Sequence, residues 1–307
     1  MQFADRLNNV ETSAIRELFK LLGKPGIISF AGGFPDSAMF DVEGIRAASN
    51  AALAEEPGAA LQYGATEGYN PLREQLAAFM TSKGAKDVAA DNLIVTTGSQ
   101  QALDLLGKTL ISPGDKVIVE GPTFLATIQC FRLYGAELIS APIDGNGVKT
   151  DELEKLVAEH KPKFVYLIPT FGNPSGAMLS AERRKAVLEM AVKHNTLIVE
   201  DDPYGDLYFG DAPPPSLLNL SATVPGSREL LVHCGSLSKV LSPGLRVGWM
   251  IAPAELLGKA TMCKQFSDAH TSTFAQATAA QYLKAGRMPG TLAHVRKVYA
   301  ERAQAMG

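Results

Sequence analysis

Seven short β-rich runs, at residues 93–97, 116–120, 137–140, 164–168, 196–200, 230–234 and 247–251, alternate with longer segments of helical pattern. Most of these runs lack a strict apolar–polar alternation. A strand with one face in water needs that alternation, whereas a strand covered by helices on both faces does not. Helical patterns at 99–111, 122–134, 151–160 and 180–194 fall between the runs. Ser99 and Ser180 stand where an N-cap belongs, and Pro122 suits a first helical turn. Strand–helix alternation on this scale predicts an α/β fold: a mainly parallel seven-stranded sheet with helices on both faces. A chain of 307 residues has room for one large domain of this kind, alone or with a smaller one.

The first forty residues differ in character. A helix is predicted over 13–22, with Ile15, Leu18, Phe19 and Leu22 apolar, and it leads into an extended segment, 27–35, in which Gly32 and Gly33 permit close backbone approach to a ligand or another chain. At the other end, 288–306 reads as a helix that stops at Gly307 with no cap and no following strand. No repeat period and no low-complexity tract beyond Pro213-Pro214-Pro215 is present.

Charge argues against several partners. Lys+Arg 29 against Asp+Glu 32 leaves a formal net charge of −3, so nothing in the balance attracts nucleic acid or an anionic membrane. Cys130, Cys234 and Cys263 are odd in number and widely spaced, which suits reduced thiols rather than a disulfide set. The five histidines, at 160, 194, 233, 270 and 294, have no metal-ligand spacing, so no metal is expected. With no signal-peptide layout at the N-terminus and no apolar run of membrane-spanning length, a cytoplasmic location is expected.

Lys239 carries the chemistry. It follows the apolar stretch Leu230-Leu231-Val232 in the run Gly235-Ser236-Leu237-Ser238-Lys239, with Pro243-Gly244-Leu245-Arg246 beyond. A lysine at the end of a core strand is costly to bury as a charge. Burial and a neighbouring cation such as Arg246 both depress its pKa toward the neutral amine, the form that condenses with a carbonyl. Ser236, Ser238 and Arg246 suit a phosphate. A phosphate and an aldehyde on one small molecule describe pyridoxal 5′-phosphate (PLP).

Other segments offer partners for such a molecule. Val95-Thr96-Thr97-Gly98-Ser99-Gln100 reads as strand, glycine turn and helix start, which is either an ordinary capped helix or an anion site. Asp201, at the end of the run 196–200, stands where open α/β sheets bind ligands, and a carboxylate there keeps a pyridine nitrogen protonated. Tyr204 and Asn173 are each placed to reach the ring's 3′-oxygen, although an acidic turn and an Asn-Pro turn are common structural devices. Asp202 belongs to the turn. Phe124 suits either ring stacking or plain core packing. Tyr63, in a glycine-rich loop, suits a phosphate of a partner subunit or a surface turn, and Arg16 reads first as a solvated helix residue.

Together these residues resemble the fold-type I PLP-dependent aminotransferases of class I/II. Ser-x-Ser-Lys followed by Pro-Gly-Leu-Arg-x-Gly, from Ser236 to Gly248, is the most specific element, and the order Gly98-Ser99-Gln100, Phe124, Asn173, Asp201, Tyr204, Lys239, Arg246 is similar to the family's. The segments at 13–18 and 30–35 are similar to the 2-aminoadipate aminotransferase subgroup, whose catalytic domain is shared with MocR-type regulators. The resemblance implies that Lys239 bonds the cofactor aldehyde and shuttles a proton. It implies that Asp201 holds the pyridinium, that Asn173 and Tyr204 hold the 3′-oxygen, and that Phe124 stacks on the ring. Ser99, Gln100, Ser236, Ser238 and Arg246 are implied to hold the phosphate, with Tyr63 reaching across from the second subunit of a homodimer. Arg16, Gly33 and Asn173 are implied substrate contacts.

The implied domains are an N-terminal arm and small-domain segment at 1–40, a large PLP-binding domain at 41–285, and the start of a C-terminal small domain at 286–307. The family arginine that clamps the substrate α-carboxylate has no match before Gly307, so a C-terminally truncated chain with an incomplete small domain is expected. The function implied is transfer of an amino group from an amino acid to a 2-oxo acid by a ping-pong Schiff-base mechanism. Alternatives are the effector-sensing domain of a MocR-type transcription regulator, or β-elimination or decarboxylation on the same fold. A nicotinamide-dependent dehydrogenase is disfavoured because no G-x-G-x-x-G follows a strand.

Overall fold

The computed structural model describes residues 1–7, 33–210, 212 and 214–306. The predicted helix at 13–22, Arg16 within it, and residues 27–32 lie outside the described residues.

All seven predicted strands form: β1 (Leu93–Thr96), β2 (Lys116–Gly121), β3 (Glu137–Asp144), β5 (Phe164–Leu167), β6 (Leu197–Asp202), β7 (Leu231–Ser236) and β8 (Gly248–Ile251). An eighth, the two-residue β4 (Gly147–Val148), folds back on the end of β3. Its hairpin turn is closed by Asp144, whose Oδ1 accepts from the Asn146 N–H at 2.8 Å, and by Gly147 at φ +83°. Two residues are too few to leave a periodic signature, so the sequence predicts seven strands where the sheet has eight. The order is β1-β8-β7-β6-β5-β2-β3-β4. Neighbours from β7 across to β3 run parallel, while β8 is antiparallel to both β1 and β7.

Successive residues along the central strands enter two separate cores. Ile118, Val165, Leu167 and Ile198 point to one face, beneath the helices Asn70–Ser82, Thr150–His160 and Ala181–His194. Val117, Val119, Phe164, Tyr166 and Val199 point to the other, beneath Ser99–Leu110, Leu125–Leu133 and Ala254–Gln265. Each fully buried aliphatic or aromatic side chain contributes about 1.5–3 kcal/mol. Double coverage is the reason these strands lack polar alternation.

Two helix starts differ from expectation. Gly98, at φ +75°, caps Ser99–Leu110, and Ser99 is the first helical residue instead of the cap. Pro122 precedes its helix: β2 runs on to Gly121, the Gly121–Pro122 peptide is cis, and the helix begins at Leu125 behind Phe124. Ser180 is the expected N-cap and accepts from the Arg183 N–H. The helix Met288–Met306 docks on the body through Met288, Leu292 and Val295. No helix among the described residues is long and apolar enough to cross a membrane.

Candidate active site

The carboxyl ends of β5, β6 and β7 share one rim of the sheet. Asp201 is the penultimate residue of β6, in register with Cys234 of β7, and Ser236 ends β7 opposite Gly248 of β8. The loop after β5 is held by buried Arg184, whose Nε donates to the Leu179 carbonyl at 2.8 Å and whose Nη2 donates to the Pro169 carbonyl at 2.7 Å. Asn173 rides on this loop, its Nδ2 3.4 Å from the Tyr204 hydroxyl.

These elements enclose a cavity of about 240 Å³. Seven sequence-predicted residues line it: Gly33, Ser99, Phe124, Asn173, Asp201, Tyr204 and Lys239. Phe34, Ile168 and Pro203 complete the wall.

Lys239 sits in the turn after β7, half-buried, with Nζ donating to the Gly33 carbonyl at 3.0 Å. No carboxylate pairs with it among the described residues. Burial, then the Arg246 charge, lowers its pKa, so the neutral amine is within reach.

Beside it lies a cluster of donors. The Ser236 hydroxyl donates to Ser238 Oγ at 2.9 Å, and the Ser238 N–H donates to Ser236 Oγ at 3.1 Å. Arg246, itself at φ +53°, spans from the Pro243 carbonyl (3.3 Å from Nη1) to the Thr97 carbonyl (3.3 Å from Nη2). Glycine makes this convergence possible: a Cβ at Gly98 would lie 2.3 Å from Arg246 Nη2, and one at Gly248 would lie 2.7 Å from the Ser99 nitrogen. Two hydroxyls, a guanidinium and the first N–H groups of a helix form an anion cradle.

Asp201 faces the cavity from its floor. Its Oδ2 accepts from the Tyr166 hydroxyl at 2.7 Å, while Oδ1 is buried with no partner among the described residues. Burial pushes its carboxyl up to about 6, against the Tyr166 hydrogen bond. The neighbouring Asp202 belongs to the turn, as its sequence context suggests, and accepts from the Gly205 N–H at 3.0 Å.

Five predicted residues do not line the cavity: Ser236, Ser238 and Arg246 form the cluster beside it, and Gln100 and Tyr63 stand apart from it. Gln100 is exposed and lines an adjoining depression with Thr97 and Arg246. Tyr63 is 86 % exposed and packs edge-on against His270, with ring centroids 5.7 Å apart. Sequence reasoning missed Tyr166 and Thr127, which stand behind Asp201, because an aromatic and a threonine inside apolar segments read as core. It also missed Lys264, whose helix carries one other lysine, the exposed Lys259.

The residues present fit PLP. The partnerless buried Oδ1 of Asp201 needs a donor, which a protonated ring nitrogen supplies. The cradle at Ser236, Ser238 and Arg246 has the donors that a phosphate would need, and Lys239 lines the adjoining cavity.

Comparison with known proteins agrees. The family "Aminotransferase class I and II" matches residues 26–306. The chain is 42 % identical over 306 residues to 2-aminoadipate transaminase of Thermus thermophilus, covering 99 % of this chain and 74 % of that protein. It is 38 % identical to aromatic-amino-acid aminotransferase 1 of Thermococcus litoralis, covering 99 % of this chain and 73 % of that one. It superposes with a TM-score of 0.90, at 40 % identity, on the crystal structure of LysN, an alpha-aminoadipate aminotransferase from Thermus thermophilus complexed with N-(5′-phosphopyridoxyl)-L-leucine, covering 99 % of this chain and 75 % of that chain. The chain therefore belongs to the class I and II aminotransferases. It is a PLP-dependent transaminase of the PLP-transferase fold, and its substrates are an amino acid and a 2-oxo acid.

Proposed function

We propose that Lys239 is the residue to which PLP is bound and the base that moves the substrate's Cα proton, with Asp201 and the rim residues around it holding the cofactor. The observation that carries this reading is the placement of a carboxylate-free, pKa-lowered Lys239 amine and the partnerless Oδ1 of Asp201 on one small cavity. When bound, PLP supplies an aldehyde that takes up the amino group and a pyridinium ring that withdraws electrons.

The chain's own residues do the rest. Asp201 keeps a proton on the ring nitrogen, and burial makes that charge pair strong. Ser236, Ser238, Ser99 and Arg246 bind the phosphate, and the Gln100 N–H at the same helix start adds to that anion site. Tyr204 and Asn173 hold the 3′-oxygen, and Phe124 covers a ring face. Lys239 Nζ, neutral, would take the proton from the donor's Cα and deliver it to the cofactor carbon that carried the aldehyde. Ile168 and Phe124 exclude water from that transfer.

The donor class proposed is 2-aminoadipate and related acidic or aromatic amino acids, by likeness to the relatives above, with Gly33, Asn173 and Arg16 as substrate contacts. A homodimer is proposed, supported by the exposed Leu61 and Tyr63 beside Phe274 around one depression. There Tyr63 reaches the partner's phosphate site. The same reading divides the chain at 1–40, 41–285 and 286–307 and puts it in the cytoplasm, which the three free thiols suit. A MocR-type regulator is not favoured, since the strongest relatives reported above are aminotransferases matched along 99 % of this chain.

The test is borohydride reduction of the PLP-loaded protein followed by peptide mapping. The reduced adduct is expected on Lys239, and Lys239→Ala is expected to lose both the visible absorption of the bound cofactor and amino transfer. An adduct on another lysine would overturn the assignment.

A further inference from the structure

Tyr166 lies in the middle of β5 and faces the helix Leu125–Leu133. Its ring packs edge-on against Phe131, centroids 5.8 Å apart, and Phe131 packs likewise against Phe164. A phenylalanine at 166 would satisfy that packing equally well. The hydroxyl is therefore the informative part, because a buried phenol costs free energy unless it is hydrogen-bonded.

That hydroxyl sits in a directed chain. Thr127 Oγ1 donates to Tyr166 at 3.0 Å, and Tyr166 donates to Asp201 Oδ2 at 2.7 Å. Thr127 and Tyr166 are 0 % exposed and Asp201 is 3 % exposed. Among the described residues Tyr166 is the only donor to this carboxylate; it occupies one oxygen while the other is buried without a partner, and Asp201 lines the cavity.

We propose that Tyr166 is a positioning residue that keeps the Asp201 carboxylate charged and turned so that Oδ1 is presented to the ring nitrogen of the bound cofactor. The proposal rests on the reading of Asp201 as that nitrogen's partner. Removing the hydroxyl leaves the carboxylate with no donor in its empty state and free to rotate about its terminal bond.

The electrostatic setting agrees. Burial raises the Asp201 carboxyl and the Tyr166 hydrogen bond opposes that rise, with Asp202 and Glu200 of the same strand raising it and His233 of β7 lowering it. Cys234, opposite Asp201 on β7, is held well above its usual range by burial and so stays a neutral thiol. Burial, then the Asp201 charge, lifts the Tyr166 hydroxyl well above its ordinary value, so it remains a donor across the working pH range. Thr127, donating to the phenol oxygen, polarises it toward a stronger donor.

Carboxyl carbon NMR titration of cofactor-free wild type, Tyr166→Phe and Thr127→Val tests this. The Asp201 midpoint is expected to rise by about one pH unit in Tyr166→Phe and by less, in the same direction, in Thr127→Val. In the loaded enzyme, Tyr166→Phe is expected to bind PLP about tenfold more weakly, and to lower kcat while leaving KM for the amino donor unchanged. An unmoved midpoint in Tyr166→Phe, with wild type taking up PLP, overturns this inference alone. A wild-type protein that takes up no PLP overturns the reading of the cavity and with it the purpose assigned here to Tyr166. Should Tyr166→Phe fail to fold, Thr127→Val carries the same readout, and an unmoved midpoint there overturns the proposal.

Discussion

Lys264 and Asp268, one helical turn apart, form an ion pair in which the buried Nζ lies 2.9 Å from Oδ1. From this pair a net of hydrogen bonds runs to the Thr97–Gly98 turn, on which Arg246 rests. Lys264 also donates to Gln101 Oε1 at 2.8 Å, and that same oxygen accepts from the Thr97 N–H at 2.8 Å. Asp268 Oδ2 accepts from the Thr97 hydroxyl at 3.0 Å and from Gln101 Nε2 at 2.7 Å. The Thr97 carbonyl, fixed in this way, is the one that receives Arg246 Nη2.

Lys264→Met keeps the side-chain volume and leaves Asp268 without its cation. Removing one partner of a buried pair costs roughly 3–5 kcal/mol, and the half-open position of Asp268 puts the expected loss toward the lower end. Urea unfolding measures it. PLP affinity is expected to fall about tenfold, since Arg246 loses its fixed acceptor. Unchanged affinity beside lowered stability would separate the net from the cofactor site.

Gly98→Ala strains the same turn from the other side. The residue sits at φ +75°, and a Cβ there would lie 2.3 Å from Arg246 Nη2. The backbone strain costs about 1–3 kcal/mol, and displacement of the guanidinium is expected to weaken PLP binding at least about tenfold. Gly244→Ala serves as the control: a Cβ there comes no closer than 3.7 Å to any neighbour. Equal effects of the two substitutions on PLP titration would refute the role given to Gly98.

Glu120 makes stability depend on pH in an unusual direction. Burial pushes its carboxyl up to about 7, although its side chain accepts from the Ile168 N–H at 2.7 Å and Arg184 lies nearby. A group whose folded pKa exceeds its unfolded value contributes fully below the unfolded pKa and loses that contribution as pH rises through the folded one. Stability of the cofactor-free protein is therefore expected to fall between about pH 4.5 and 7 from this source, and Asp201, at about 6, adds to the fall. Glu120→Gln keeps an acceptor for Ile168. It is expected to match wild type near pH 5 and to exceed it by roughly 2–3 kcal/mol at pH 8. Urea unfolding across that range decides the matter, and parallel curves for the two proteins would contradict it.

Sequence alone carried the strands and most of the rim. Runs such as 164–168 and 196–200 are apolar on both faces because two cores meet them, and that is visible without coordinates. Ser99, Phe124, Asn173, Asp201, Tyr204 and Lys239 each follow or end a strand, so a parallel sheet gathers them at one edge. The reversed course of β8 between β1 and β7 was not readable, because strand order is set by connections rather than by the strand's own residues. The pairing of Tyr166 with Asp201 was equally hidden, since it joins two strands across a sheet. Its one trace is a phenol inside an otherwise apolar run, whose hydroxyl must find a partner. Gln100 illustrates the limit of a motif: its place at the helix start was right, yet its side chain leaves the cavity.

Lys239 rests with its amine on the carbonyl of Gly33, 206 positions away along the chain. On the role proposed for Lys239, covalent attachment of an aldehyde to that nitrogen would use up hydrogens it now donates and leave the Gly33 carbonyl to another donor. The reactive amine would then double as a latch, fastened in the empty protein and released on loading, so that arrival of the cofactor would be felt at a backbone atom far off in the sequence.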